Sequence, residues 1–289
     1  MSRLYHYTSQ AGLLGILSSK SIWCTNALFL NDRTEYKHAI QLGQEMANRL
    51  YEDDYDESFG WQLRRELEST AADGLYVSSF SERPDLLSQW RGYCPGGNGY
   101  CLGFDHEALA TYCAANGLRL EQCLYNHDDQ LGAVAAIIAT AQREFPPMPI
   151  CREGFDALAS KEKLDVMFGY RDHLEGVGAQ QAKRTISTAC EMLIELAPRF
   201  KHEGFHEEAE WRIISNDPAR QIQYRPGPSY IVPYISLDLL EHNKYVLCEV
   251  IVGPNPNQDR AQKAAEIVLR AAGFDPSIVR SSCVPFNYW

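Results

Sequence analysis

The stretch EAEWRIIS, residues 208–215, decides the fold class because it returns the chain to β-structure after a long helical block. Its apolar residues alternate with charged ones, as side chains do on the two faces of a strand. We expect Glu208, Glu210 and Arg212 to share one face of this strand, with Trp211 on the opposite face toward the core.

Further β-rich segments lie at both ends of the chain. Toward the C-terminus they are RQIQY, YIVPYISL, YVLCEVIVG and IVRSSC, and within the first 105 residues they are LYHYTS, SIWCTN, GLYVSSFS and YCLGFD. Residues 106–200 are mostly helical in pattern. The sequence therefore predicts an α+β fold, with a curved, largely antiparallel (split) sheet from N- and C-terminal strands and a helical insertion between them. Because no Gly/Ser-rich linker is visible, we expect residues 1–289 to form a single domain with 106–200 inserted in it.

The apolar content and the net charge of the chain limit the kinds of function that it can have. Apolar residues make up 45% of the 289 residues, which is enough to bury a core, and the formal net charge is −11. Such a charge repels phosphate backbones and argues against broad, non-specific nucleic-acid binding. A nucleic acid could still enter a locally basic cleft.

The chain lacks a run of ~20 apolar residues and begins without a secretory signal pattern, so we expect a cytoplasmic protein without a membrane partner. Its nine cysteines are irregularly spaced and odd in number, which predicts free thiols. Cys94, Cys101, His106 and Cys113 lack the paired spacing of common zinc sites. We therefore expect no bound metal.

The first two candidate clusters lie near helix starts. His6, Tyr7 and Thr8 end the first predicted strand, where His6 could hold a ribose beside a hydroxyl; the structural alternative is a strand end followed by a helix cap at Thr8 or Ser9. Asn31, Asp32 and Glu35 form the second cluster. A capping box explains Asp32 and Glu35, and Arg33 beside them could meet a phosphate.

The third cluster runs from Ser79 to Phe104. We expect Trp90 to be buried, with Gln89 and Arg91 beside it on a helix that precedes the glycine-rich turn CPGGNG. Such a turn can present backbone N–H groups to a ligand, although glycine pairs also serve ordinary loops.

The fourth cluster is Glu208, Glu210 and Arg212. Two carboxylates on one strand face repel each other unless a cation or a ligand offsets them. One interpretation is an exposed edge strand with an ion pair. The other is a catalytic carboxylate pair that stabilises a developing cation and accepts a proton.

The motifs LYHYTS, LNDRTEY, SFSERPDLLSQWRGY, GYCLGF, EAEWRI, EVIVGP and RSSCVPF, in this order, resemble the bacterial domain-of-unknown-function family 2971 over almost the whole chain. CPGGNGYCLGF departs from the polar, His-containing segment usual in such sequences. The family implies no activity.

A second resemblance does imply an activity. His6-x-Thr8 is similar to the first motif of ADP-ribosyltransferases, Ser79-Phe80-Ser81 to their middle motif, and Glu208-x-Glu210 to the glutamates of the arginine-modifying type. The resemblance implies that His6 and Thr8 hold the ribose of NAD, that Glu210 stabilises the ribosyl cation and that Glu208 deprotonates the acceptor.

The resemblance implies further NAD-binding roles for Tyr7, by stacking on nicotinamide, and for Ser79 and Ser81. Arg33, Arg91 or Arg212 would meet the pyrophosphate. The resulting hypothesis is an NAD-dependent ADP-ribosyltransferase or NAD glycohydrolase with an unknown acceptor, protein or nucleic acid.

Two rival hypotheses stay open. The first is a non-catalytic nucleotide- or protein-binding module that uses the same cleft, and it is favoured if Glu210 pairs with Arg212 at the surface instead of lining the cleft. The second is a metal-dependent nuclease using Asp32, Glu35 and Glu208, for which no compact motif is present. The acceptor, the oligomeric state and the physiological role are not specified by the sequence.

Overall fold

The computed structural model describes residues 2–30, 33–69, 74–94, 96–227 and 229–285, without the side chains of 33–36 and 242. The second candidate cluster, Asn31, Asp32 and Glu35, and Arg33 beside it therefore lie outside the described residues and side chains.

The described strands form one ten-stranded sheet in which only β9 and β10 pair in parallel. The strands are β1 (Arg3–Ser9), β2 (Ile22–Asn26), β3 (Tyr76–Ser81), β4 (Gly99–Asp105), β5 (Arg119–Gln122), β6 (Glu210–Ser215), β7 (Gln223–Pro226), β8 (Ile231–Leu237), β9 (Leu247–Val252) and β10 (Val279–Ser281). Neighbours follow the order β10-β9-β4-β1-β3-β2-β8-β7, with β6 against β3 and β5 against β6.

Helices connect these strands. They are α1 (Gln10–Ser19), α2 (Arg33–Tyr51), α3 (Glu57–Ser69), α4 (Leu87–Tyr93), α5 (His106–Ala115), α6 (His127–Glu144), α7 (Arg152–Asp156), α8 (Ser160–Glu175), α9 (Ala179–Leu196), α10 (Leu239–His242) and α11 (Gln258–Ala271). The fold class is thus mixed α+β with a large, mostly antiparallel sheet, as the sequence predicted.

The chain divides into two compact units. The first comprises residues 1–31, 73–123 and 203–289 and carries the sheet; the second comprises 32–72 and 124–202. Of the expected insertion, α5 and β5 therefore lie in the first unit and α6 to α9 in the second. The helices α2 and α3 join α6 to α9 in the second unit.

The sheet divides at β3 because this strand has three partners. Strand β6 pairs with one edge of β3 along its whole length, from Tyr76 to Ser81. On the other edge, β2 pairs with Tyr76 and Val77, whereas β1 pairs only with Ser81. We call the intervening edge of β3, Ser78–Phe80, the fork.

Apolar packing covers both faces of the sheet near the fork. One face packs against α1, α5 and α11 through a core that includes Leu4, Phe80 and Phe104. The opposite face buries Tyr5, Tyr7, Cys101 and Ile251 against Trp90 of α4. Trp90 is 1% exposed, so its predicted burial is confirmed.

The start of α1 fixes the end of β1. Ser9 caps this helix, and its hydroxyl accepts a hydrogen bond from the Gly12 backbone N–H at 3.1 Å. Of the two expected caps, Thr8 and Ser9, the structure therefore uses Ser9. The cap therefore begins the helix immediately after the strand segment that carries His6 and Thr8.

The second unit is a helical assembly with its own apolar core. Helices α2, α3, α6 and α9 contribute to a cluster that includes Leu63, Val134, Leu193 and Phe200. Helix α9 has Ala182, Ile186, Ala189 and Leu193 on one buried stripe, which is the spacing of a helix packed along one face.

Candidate functional site

His6 lies at the fork and bonds to the edge of β3. Its Nδ1 donates a hydrogen bond to the Ser79 backbone oxygen at 2.9 Å, since a carbonyl only accepts. The ring also contacts Phe80, with centroids 5.6 Å apart. The bond places the proton on Nδ1 and leaves Nε2 of the neutral ring as an acceptor.

The environment keeps this imidazole neutral. Burial lowers the pKa of His6 because it removes water from the charged form, and the hydrogen bond to Ser79 opposes that shift only in part. A neutral histidine suits a role in which Nε2 accepts a hydrogen bond from a ligand hydroxyl.

Strand register places Glu210, from a segment far from His6 in sequence, beside β3 as well. Tyr5 pairs with Ser81, and Ser81 pairs with Glu210, so the three side chains share one face of the sheet. Ser79 similarly pairs with Arg212.

Glu210 and Arg212 form a buried, two-point ion pair. Arg212 donates from Nε to Oε1 at 2.8 Å and from a terminal nitrogen to Oε2 at 3.2 Å. Both side chains are 5% exposed. A buried pair of this geometry is costly to break from one side, because the remaining charge is desolvated and loses this counterion.

A small cavity of about 70 Å³ joins these groups. The residues that line it are Tyr5, His6, Tyr7, Ser79, Phe80, Ser81, Gln89, Tyr93, Glu208 and Glu210. The structure thus brings His6 and Glu210 onto one cavity although more than half of the chain separates them in sequence. Glu210 both lines the cavity and pairs with Arg212, and the pair is buried.

The expectation that Glu208 shares a strand face with Glu210 was wrong. Glu208 ends a 3₁₀ helix, Glu203–Glu208, and β6 begins at Glu210. Ala209 between them has φ 42°, a left-handed conformation that breaks the strand alternation. Glu208 nevertheless lines the small cavity, half-buried, from outside the sheet.

Ser81 and Tyr7, two of the residues predicted to bind NAD, line the small cavity and use their hydroxyl groups in hydrogen bonds within the protein. The Ser81 hydroxyl donates to the Glu208 backbone oxygen at 2.5 Å and accepts from the Arg83 N–H at 2.9 Å, which holds the Glu208 turn in place. The Tyr7 hydroxyl donates to the Arg83 oxygen at 2.8 Å, and burial raises the pKa of Tyr7. Ser79 lines the cavity half-buried.

A larger cavity of about 400 Å³ shares His6 with the small one. It is lined by His6, Thr8, Ser9, Ala11, Gly12, Gly15, Ile16, Trp23, Thr25 and Arg225. Thr8 is therefore placed beside His6 on this cavity only. Sequence reasoning missed Trp23 and Arg225, because neither belongs to a motif and both are ordinary residues of short strands.

Arg91 is exposed on α4 and is not among the described residues that line either cavity. The glycine-rich turn after α4 contains Gly96 and Gly97 at φ 84° and 66°. These left-handed values explain the glycines as a turn requirement.

The nine cysteines are free thiols. Within the described ranges, no group of three or more His, Cys, Asp or Glu side chains is placed to hold a metal ion. Among the described helices, none combines the length and apolar character needed to cross a membrane.

Comparison with known families gives one result. Residues 89–213 match the family described as "Protein of unknown function (DUF2971)". The resemblance to family 2971 is confirmed for this segment. It runs from α4 to β6 and so includes Glu210 and Arg212 but not His6. No curated protein and no solved structure matches the chain, so the resemblance to ADP-ribosyltransferases gains no support from relatives.

We predict that His6 makes the protein less stable in mild acid. Its folded-state pKa lies below the unfolded value of about 6.5, so the unfolded chain binds the proton first. The stabilisation of the folded state by neutral His6 is fully present above about pH 6.5 and is lost as the pH falls toward the folded-state pKa. His6→Asn keeps a donor near the Nδ1 position and cannot titrate. The free energy of unfolding, measured with urea at about pH 7.5 and 5, should fall less between these two pH values in the variant than in the unaltered protein. Equal decreases in the two proteins would show that His6 has an ordinary pKa.

Removal of Arg212 alone should be strongly destabilising. Arg212→Met leaves the Glu210 carboxylate buried without its counterion, at a cost of roughly 3–5 kcal/mol in unfolding free energy. Glu210→Met/Arg212→Met removes both charges and should recover most of the loss. Chemical denaturation of both variants measures this. A cost of at most ~1 kcal/mol for the single variant, typical of exposed pairs, contradicts the buried arrangement.

Proposed function

We propose that the protein is an ADP-ribosyltransferase-like enzyme that cleaves NAD at the bond between nicotinamide and ribose. The observation that carries the proposal is the fork: a neutral His6 held by the edge of β3, with Glu210 lining the same cavity. The order of His6, Ser79-Phe80-Ser81 and Glu210 along the chain also fits the three motifs of that enzyme class. NAD is the substrate, and the acceptor of ADP-ribose is a protein, a nucleic acid or water.

The sizes of the two cavities support one placement of NAD. About 70 Å³ beside Glu210 admits only a few atoms, whereas about 400 Å³ falls in the range of small-molecule sites. Because His6 lines both cavities, the body of the dinucleotide would occupy the larger one. The ribose next to nicotinamide would then meet His6 at the junction.

Cleavage of this bond develops positive charge on the sugar. The C–N electron pair leaves with nicotinamide, which departs as a neutral molecule, and the ribose becomes oxocarbenium-like. The attacking oxygen or nitrogen then forms the new bond to the sugar and loses its proton. The net reaction with water gives ADP-ribose, nicotinamide and one proton.

Glu210 would stabilise the developing cation. Its carboxylate is fixed by Arg212, so it needs no reorganisation during the reaction, and the surrounding core strengthens its field. His6 Nε2 would accept a hydrogen bond from a ribose hydroxyl and hold the sugar against that carboxylate.

Glu208 would act on the nucleophile. It lines the small cavity from outside the sheet and is more exposed than Glu210. A solvent-accessible carboxylate at this place can take the proton of an entering acceptor.

A non-catalytic nucleotide-binding module is the second candidate. The observation that favours it is that Arg212 already bonds to both Glu210 oxygens. If that pair stays closed with ligand bound, Glu210 cannot also bond to a ribose hydroxyl through the same lone pairs, and its contribution to cleavage would be lost.

Localisation forms part of the proposal. Nine free thiols, seven of them at least partly buried, fit a reducing compartment. We therefore place the protein in the cytoplasm, where NAD is available.

Glu210→Gln should lower nicotinamide release from NAD about a hundred- to a thousand-fold, because it removes the charge that stabilises the ribosyl cation. Glu208→Gln should reduce transfer to an acceptor and leave part of the hydrolysis by water. Nicotinamide release, followed by chromatography beside a melting curve for each variant, measures both effects.

Glu207→Gln is the matched control, since Glu207 is exposed on the same 3₁₀ helix as Glu208 and does not line either cavity. It should leave nicotinamide release unchanged. Equal, small effects of the three substitutions would refute the catalytic assignment, and NAD binding without cleavage by the unaltered protein would establish the binding module.

A further inference from the structure

We infer that the larger cavity is a site for a nucleoside diphosphate, in which Arg225 binds the phosphates and Trp23 stacks on the base. For NAD this inference deepens the proposed function and rests on it. The chemistry of the two side chains does not depend on any reaction.

Arg225 presents a guanidinium with unused donors. One terminal nitrogen donates to the Thr25 hydroxyl at 3.3 Å, which orients the side chain. The Nε atom is buried and has no hydrogen-bond acceptor. Because this buried Nε is not accessible from the cavity, a phosphate would be bound through the terminal N–H groups of the planar guanidinium, whose geometry suits phosphate oxygens.

The charge around Arg225 favours an anionic ligand. No acidic side chain is among the described residues that line the larger cavity, and the described ion pairs do not include Arg225. The protein as a whole carries a net charge of −11, which repels anions. Among the described lining residues, Arg225 is therefore a cation without an acidic neighbour, and it gives an anionic ligand a preferred position.

Trp23 supplies an aromatic surface on the same cavity. Its ring packs on Tyr234 with centroids 4.4 Å apart and planes inclined by 33°, so one side of the indole is fixed. The residue is still 42% exposed and lines the cavity. An indole held in this way offers a stacking surface to a planar base.

Helix α1 forms the opposite wall without closing the cavity. Gly12 lets the Thr8 side chain approach the helix, since a Cβ there would lie 1.9 Å from the Thr8 Oγ1. Because Ser9 already accepts the Gly12 N–H, the phosphate site is assigned to Arg225 and not to the helix end.

This inference assigns phosphate binding to Arg225 instead of the arginines that the sequence suggested for that role. Arg212 is buried and bonded to Glu210, and Arg91 is not among the described lining residues. The side chain of Arg33 lies outside the described structure.

Titration calorimetry with ADP and with adenosine tests the inference. The unaltered protein should bind ADP about 10-fold or more tightly than adenosine, because phosphate bonds to a charged donor are strong. Arg225→Gln should weaken ADP binding about 10- to 100-fold and leave adenosine unchanged. Arg225→Lys keeps the charge without the planar fork and should give an intermediate loss. Trp23→Leu should lower the affinity for both ADP and adenosine.

Arg260→Gln is the control for charge, since Arg260 is exposed on α11 in the same unit and does not line the cavity. It should not change ADP affinity, and melting curves show whether each variant is folded. The inference is overturned if ADP does not bind or if ADP and adenosine bind with equal affinity. It is also overturned if Arg225→Gln and Arg260→Gln lower the affinity for ADP equally.

The outcomes also separate this inference from the proposed function. Arg225-dependent ADP binding by a protein that releases no nicotinamide would support the site and refute the reaction. Nicotinamide release with unchanged ADP affinity in Arg225→Gln would support the reaction and refute this assignment of the phosphates.

Discussion

A strand has two edges, and the requirement of β3 for backbone hydrogen bonds on both of them organises the site. One edge is taken entirely by β6, and the other is divided between β1 and β2. The strands separate between those two contacts, and the Ser79 oxygen, which has no strand partner on this edge, needs a donor from elsewhere. His6 supplies it. The same bond therefore provides the Ser79 oxygen with a donor, fixes the histidine tautomer and orients a residue that lines both cavities.

Glu210 and Arg225, which line the two cavities that share His6, differ in their charged partners, and this difference suggests their roles. Glu210 is buried in an ion pair with Arg212, so its charge is held in place at the cost of desolvating both partners. Arg225 has a hydroxyl partner and a buried N–H without an acceptor. The first arrangement suits a fixed field that acts on a reacting sugar, and the second suits a ligand that brings its own negative charge.

The sequence predicted those features that depend on local patterns. Alternation in EAEWRIIS placed Glu210 and Arg212 on one face, and the apolar character around Trp90 predicted its burial. The fork could not be predicted, because it depends on which strands compete for the edge of β3, a choice made between segments far apart in sequence. Glu208 left the strand because Ala209 adopts a left-handed conformation that alanine seldom takes. Arg225 was missed because its short strand carries no motif, and its partner Thr25 lies in a distant segment.

The most direct test of the account is whether filling the larger cavity prevents NAD from binding. Gly15 lies in α1 on this cavity, and a Cβ added there would meet no atom within 4 Å, so Gly15→Leu projects into the open space. Gly169→Leu is the control, since Gly169 is also a helix residue with no atom within 4 Å of an added Cβ, in the second unit. Both changes should raise helix stability by up to about 1 kcal/mol. The account predicts that calorimetry will detect NAD binding in the Gly169→Leu protein and none in the Gly15→Leu protein. Equal NAD affinity in the two variants would contradict it.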